Sequence, residues 1–329
     1  AMILRLSYQL RRLLMLSMSI FTLGNLVSAL SDSYTTLLIG RIITSFNHGA
    51  FFGVGAVVAT QLVPADKRAS AVAAVFSGLT IANIGGVPLA TWVGETIGWR
   101  SAFLGMTALG LITLVALRVS LPKLALDGQT SMADEIKVLK RGSVLFALLL
   151  TVVGASSMFT VFSYISPILL DETHASSLFV TCMLVLYGVG LAVGNYLSGR
   201  FADRNLSGAL IVCLVATILL LVVFAATMQS ALIVAPVIFL WGISSFAIVP
   251  PLQALVVREA HDAPNLASAM NIGAFNLGNA FGAALGGGVI HLGLGLPAVA
   301  LAGAGTSAFG LVLVLLFQQS KKKAQLAAA

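Results

Sequence analysis

Charge is what this sequence lacks. Only 9% of its 329 residues are Asp, Glu, Lys or Arg, while 59% are hydrophobic and the mean hydropathy is +1.03. A soluble domain carries about 25% charged residues. So few charges cannot clothe a surface in water, which excludes a soluble globular protein and leaves most of the surface to lipid. Cysteine is scarce as well. Cys182 and Cys213 both fall inside apolar runs and read as free, buried thiols, with neither metal-site spacing nor a disulfide framework. The start of the chain has no signal-peptide layout of charged end, apolar stretch and cleavage site.

The net charge of +7 would suit a nucleic-acid partner if the basic residues formed a patch. They punctuate the apolar runs instead, which is a topology signal. An intramembrane enzyme needs His, Asp or Glu clustered at depth, or a nucleophile beside a base, and a channel needs a pore-lining ring or filter motif. The sequence offers none of these. No enzyme activity, metal site or nucleic-acid partner is expected.

What is present is a series of ten apolar stretches, roughly 12–31, 35–63, 69–97, 100–121, 143–170, 176–199, 207–228, 231–257, 265–292 and 297–318. A bilayer core takes about 20 residues of helix. The runs are continuously apolar rather than alternating, so an all-α membrane protein is predicted rather than a barrel. With the first run starting in the cytoplasm, cytoplasmic ends and loops hold Arg5, Arg11, Arg12, Lys67, Arg68, Arg118, Lys123, Lys137, Lys140, Arg141, Arg200, Arg204, Arg258 and Lys321 to Lys323. These are sixteen of the eighteen basic residues. The opposite loops hold only Arg100, and Arg41 lies within a span, so the basic bias fixes the orientation and puts the C-terminus in the cytoplasm.

The segment 122–142 is the one long polar connection and reads as a cytoplasmic linker. It divides a four-helix bundle, 1–121, from a six-helix bundle, 143–320, with a cytoplasmic tail at 321–329. A weak internal repeat supports the division. Thr44-Ser45-Phe46 answers Ser244-Ser245-Phe246, and Ala69-Ser70-Ala71-Val72 answers Ala267-Ser268-Ala269-Met270, near an offset of 200 residues. By that offset the first half lacks a counterpart of residues 143 to about 193, so two helices are expected to be missing from its start. Parallel repeated halves are a transporter plan.

At this point a resemblance becomes specific. The segments Ile20 to Asn25, Asn47 to Gly53, Ala82 to Pro88 and Asn271 to Asn279 resemble the major facilitator superfamily, in its drug:proton antiporter and sugar-efflux branch. The resemblance implies twelve helices in two pseudo-symmetric bundles, ten of them present here, in a bacterial inner membrane. It also implies a monomer that moves a small molecule by alternating access, usually exporting it against a proton gradient with no cofactor. A sugar or organic-acid importer of the same superfamily is the alternative.

Ionisable groups within spans are costly and default to functional candidates. All eleven carboxylates fall in loops or near helix ends. Arg41, Ser45, His48 and Phe52 recur at helical spacing on one face, which is expected to line a central cavity. Arg41 would be a cationic relay and His48 a proton or substrate contact; the resemblance matches Arg41 to the family's fourth-helix arginine. The alternative is that Arg41 snorkels and His48 is structural. The coupling acid is expected in the first helix of the family plan, outside this sequence.

Asn83, Gly78, Gly86 and Pro88 resemble the antiporter motif of the fifth helix, although Val87 separates the glycine from the proline. Packing explains them equally well. Asn276 and Asn279, one turn apart, either bond across helices or face substrate. Gln253, just after Pro250-Pro251, is a similar case on a broken helix, and Tyr164 belongs to an aromatic wall before Pro167. The stretch from Gly194 to Arg204 resembles the family's cytoplasmic-loop motif, in which Asp203 and Arg204 would form a charge latch. Tyr34 and Trp99 lie near the outer boundary as interface anchors.

Overall fold

Hydrocarbon offers no partner to a peptide group, so a chain this apolar has to satisfy its backbone internally. It does so as helices. The computed structural model describes the backbone of residues 2–64, 71, 74–75, 78–79, 81–121, 138 and 141–328. The chain divides into two compact units, Ala1–Gln129 and Thr130–Ala329.

The first unit contains α1 (Met2–Ala29), α2 (Tyr34–Gln61), α3 (Val87–Val93) and α4 (Trp99–Ser120). Two π-helical turns, Ala82–Gly86 and Gly94–Gly98, flank α3. Ser33 caps α2 by accepting from the Thr36 amide at 3.2 Å, which satisfies one donor of the first turn. Gly98 has φ +118°, a conformation that favours glycine, and it redirects the chain into α4. Helix α1 packs on both α2 and α4. A Cβ on Gly24 would lie 2.7 Å from Thr44 Cγ2, and one on Gly40 would lie 2.8 Å from the Gly24 carbonyl. Glycine at both positions therefore lets the two backbones touch.

The second unit runs α5 (Gly142–Phe162), α6 (Ile165–Pro167), a π-helical turn Ile168–Glu172, α7 (Ser177–Arg204), α8 (Leu206–Thr227), α9 (Ala231–Ala247), α10 (Val249–Glu259), α11 (Pro264–His291) and α12 (Leu296–Ala328). Two apolar clusters fill it. One surrounds Trp241, Tyr187 and Phe224; the other surrounds Leu150, Leu214 and Leu252. Helix α5 packs on α11 and α12, α7 on α9, and α8 on α12. Glycines again set the distance. A Cβ on Gly282 would lie 2.8 Å from the Thr160 amide, and one on Gly286 would lie 2.6 Å from Tyr164 Cε2.

The chain breaks where its sequence removes backbone donors. Pro250 and Pro251 cannot continue the ladder of the preceding helix, so α9 stops at Ala247 and α10 begins with the prolines in its first turn. The expected span at 143–170 is likewise interrupted, at Ser163 and Tyr164, before α6.

Among the described residues, seven stretches are long and apolar enough to cross a membrane: Arg11–Ala29, Ala82–Ser120, Gly142–Phe162, Ser177–Ser198, Leu206–Thr227, Ala231–Glu259 and Leu296–Ser320. The spans expected at 35–63 and 265–292 are helical as α2 and α11, each 28 residues long, which is about 42 Å of helix. The asparagines and glycines of α11 dilute its hydropathy. Cys213 is buried, but Cys182 is exposed, contrary to the expectation of two buried thiols. It lies on α7, and an apolar run in a membrane helix turns one side away from the protein.

Candidate functional site

Arg41 is the eighth of the 28 residues of the first unit's α2. Its Nη1 donates to Asn25 Oδ1 at 3.4 Å, and its guanidinium carbon sits 5.5 Å from the centre of the Phe103 ring. Asn25 is fully buried and uses its own Nδ2 on the Phe21 carbonyl at 2.9 Å, so its oxygen is left to face the cation. The charge is thus held between α1 and α4 by an amide oxygen and a π-face. Ser45, one turn on, is exposed and bonds back to the Ile42 carbonyl at 2.7 Å. Arg41 and Ser45 share a face as the spacing predicts; the side chains of His48 and Phe52 lie outside the described residues. The same helix holds Asn47, 7% exposed, whose Oδ1 has no hydrogen-bond partner among the described residues.

In the third predicted span, Asn83 is half-buried within the first π-helical turn and Pro88 is buried. A Cβ on Gly78 would meet nothing within 4 Å, and one on Gly86 would meet only Ala82 Cβ at 3.7 Å.

The second unit contains a chain of neutral hydrogen bonds. Thr151 Oγ1 donates to Asn271 Oδ1 at 2.7 Å, Asn271 Nδ2 donates to Gln253 Oε1 at 2.6 Å, and Gln253 Nε2 donates to Ser268 Oγ at 2.9 Å. Thr151 and Asn271 are fully buried. The chain crosses from α5 through α11 to α10, so the half-helix after the double proline is fastened to both neighbours. Of these residues the sequence reading singles out only Gln253. Asn271 was legible as a lone amide in an apolar run. Asn276, by contrast, is exposed and bonds only to the Ile272 carbonyl of its own helix, at 3.0 Å; Asn279 is half-buried. The Tyr164 hydroxyl donates to the Ala283 carbonyl at 2.8 Å, which fixes the α5 break against α11.

A third group lies in the aromatic core. The ring of Tyr187 stacks 4.9 Å from Phe162 and meets Trp241 at 4.7 Å. Trp241 and Ser245 are one turn apart on α9. Both are buried, as is Tyr187, yet Trp241 Nε1, Ser245 Oγ and the Tyr187 hydroxyl are all without a hydrogen-bond partner among the described residues. Ser245 is the polar neighbour of the Tyr187 hydroxyl, although the two do not reach hydrogen-bonding geometry. Unpaired buried polar groups are rare and call for an explanation.

Gly194 allows α7 to approach α9, since a Cβ there would overlap the Ile243 carbonyl. Ser198 donates to the Ala247 carbonyl at the end of α9. The side chains of Asp203 and Arg204 lie outside the described residues. At the α5 start, Arg141 donates to Asp262, and His261 Nε2 lies 3.0 Å from the same carboxylate. The Arg141 hydrogen bond, opposed by some desolvation and aided by the positive charge of its neighbours, holds the Asp262 carboxyl below its ordinary range. No cluster of His, Cys, Asp or Glu among the described residues could hold a metal ion.

The model of the Major Facilitator Superfamily matches residues 4–273. The inner membrane transport protein YdhP of Escherichia coli (strain K12) is 52% identical over 325 residues, covering 98% of this chain and 82% of that protein. The putative transporter AraJ of the same organism is 31% identical over 319 residues, covering 96% and 80%. Two solved structures share the fold. The human organic anion transporter MFSD10 superposes with a TM-score of 0.67 at 16% identity, over 93% of this chain and 77% of that one. The transporter FucP in the outward conformation gives 0.59 at 15%, over 93% and 83%. Similarity to transporters through nearly the whole sequence decides the class: the chain belongs to the Major Facilitator Superfamily and is a multi-pass inner-membrane transporter of small molecules.

Proposed function

We propose that this transporter exports a small, uncharged amphipathic or sugar-like solute in exchange for protons, with no cofactor. The observation that carries the reading is the chemistry of the second unit's helix interiors. From 142 to 320 every Asp, Glu, His, Lys and Arg lies at a helix end or in a connection, at 171, 172, 174, 200, 203, 204, 258, 259, 261, 262 and 291. What remains inside is neutral: the amides of Gln253 and Asn271, and the unpaired groups of Tyr187, Trp241 and Ser245. A charged solute would meet no counter-charge there and would bear the full cost of desolvation. A neutral solute with hydrogen-bond acceptors and an apolar side finds matching groups.

In this reading 1–121 and 143–320 are the two bundles of an alternating-access carrier, joined by the linker 122–142 and followed by the tail 321–329. Arg41 serves as the relay in the first bundle, with Ser45, His48, Phe52 and Asn83 along the pathway. Tyr164, Gln253, Asn276 and Asn279 supply the second bundle's side. Gly194 permits the close approach of α7 to α9, Gly78, Gly86 and Pro88 let the third span bend between states, and Asp203 with Arg204 latches one state. The protein works as a monomer.

Inverted membrane vesicles test the direction. An imposed proton gradient, acid inside, should drive accumulation of chloramphenicol or of labelled arabinose, and a protonophore should abolish it. Proton-driven uptake confined to right-side-out vesicles would make the protein an importer.

A further inference from the structure

Arg100 is the one basic residue that the orientation leaves on the outer face. It lines a cavity of about 160 Å³ together with Ser31, Asp32, Ser33, Tyr34, Leu37 and Trp99, where the outer ends of α1, α2 and α4 meet. Its Nε and Nη2 donate to the Ser31 carbonyl at 3.2 and 2.7 Å, and the guanidinium stacks 4.3 Å from the Trp99 ring. Those bonds fix the guanidinium in place but use two of the five donors an arginine owns. Asp32, exposed on the same cavity, makes no ion pair or hydrogen bond among the described residues. One small cavity therefore presents a fixed cation and a free carboxylate that do not neutralise each other.

Two opposite charges held apart in one cavity are complementary to a ligand that carries both signs. The surroundings say where such a ligand resides. Tyr34 is 78% exposed and Trp99 40%, both at the boundary level where such rings sit among headgroups. Leu30 at 71% and Ile97 at 65% expose apolar surface beside them. We infer that this cavity binds the headgroup of a zwitterionic phospholipid of the outer leaflet. The phosphate is received by the spare donors of Arg100, and a primary ammonium by Asp32. Phosphatidylethanolamine has both groups. Phosphatidylglycerol offers the phosphate without the ammonium, and Asp32 repels its net charge.

The test uses the full-length protein in nanodiscs of equal parts phosphatidylethanolamine and phosphatidylglycerol. Lipids retained after detergent extraction are counted by native mass spectrometry. Retention should favour phosphatidylethanolamine by about fivefold, the scale of one lipid–residue charge contact. Asp32→Asn should bring the ratio to about one, the charge contact being gone. Asp32 has no partner among the described residues to lose, so this variant is expected to fold as the parent does. Arg100→Gln should lower retention of both lipids; because Arg100 also holds the end of α1, its folding is checked by size-exclusion profile. Equal retention of the two lipids by the parent, or an unchanged ratio in Asp32→Asn, would overturn the inference. So would displacement of the bound lipid by millimolar soluble phosphoethanolamine, which would make the cavity a site for a free zwitterion.

Discussion

Asn271 Nδ2 donates to Gln253 Oε1 across 2.6 Å, and together with the Gln253–Ser268 bond it joins the half-helix beyond the Pro250–Pro251 break to α11. The double proline frees backbone groups that a continuous helix would have paired. In a bilayer such a break persists only where neighbouring helices take over the bonding. Ser198 on α7 does so at the freed carbonyl of Ala247, while Asn271 from α11, with Thr151 behind it on α5, holds the Gln253 side chain. The break is therefore a fixed feature of the second unit, braced from three helices.

Replacing Asn271 by Leu should cost about 1–3 kcal/mol, because the buried Thr151 hydroxyl and the half-buried Gln253 carbonyl each lose a partner. Replacing Gln253 by Leu in addition should cost less than the sum of the two single changes, since each already breaks the shared bond. Equilibrium unfolding in detergent micelles, read by circular dichroism, measures all three. Strict additivity would mean that the two amides act independently.

The glycines of α11 should divide by what faces them. A Cβ on Gly282 would press on the α5 backbone at Thr160, which cannot swing aside as a side chain can. Gly282→Ala should destabilise by about 1–3 kcal/mol, the usual range for overpacking. Gly273→Ala meets nothing within 4 Å, and removing a mid-helix glycine should stabilise by about 0.5–1 kcal/mol. Thermal unfolding of the two variants side by side gives the sign of each.

Much of this architecture was legible in the sequence, and the reason is solvent. In lipid the length of an apolar run sets the helix, and the basic residues set its direction, so both could be read without knowing any contact. The double proline announced its break for the same local reason. The polar network was less legible. Asn271, Asn276 and Asn279 look alike in sequence, yet only Asn271 turns toward α5 and α10; Asn276 turns away and satisfies itself on its own helix. Tyr187 and Trp241 were invisible as site residues, because an aromatic in an apolar run reads as packing until its polar atom is found to be unpaired.

That unpaired hydroxyl separates stability from function. In Tyr187→Phe the ring contacts with Phe162 and Trp241 remain, while a buried oxygen without a partner is removed. The variant should be as stable as the parent or more so, by up to about 1–3 kcal/mol, the cost of burying an unsatisfied group. If the hydroxyl serves the solute, transport in vesicles should fall while the unfolding midpoint holds or rises. A loss of stability would show instead that the hydroxyl has a structural partner.

The Arg141–Asp262 pair predicts a pH dependence of defined sign. Arg141 holds the Asp262 carboxyl below its ordinary value, chiefly through their hydrogen bond. A carboxylate whose folded value is depressed adds stability at pH values above its unfolded value, near 3.9 for Asp, and loses it as pH falls through the folded value. At neutral pH Asp262→Asn should therefore unfold more readily than the parent, by a small margin, since both partners are largely exposed and water screens the pair. Below the ordinary Asp range the two proteins should converge, because the parent's carboxyl is then protonated as well. Midpoints of thermal unfolding measured from pH 7 down to pH 3 trace the difference. A gap that stayed constant over that range would assign the effect to the shape of the side chain rather than to its charge.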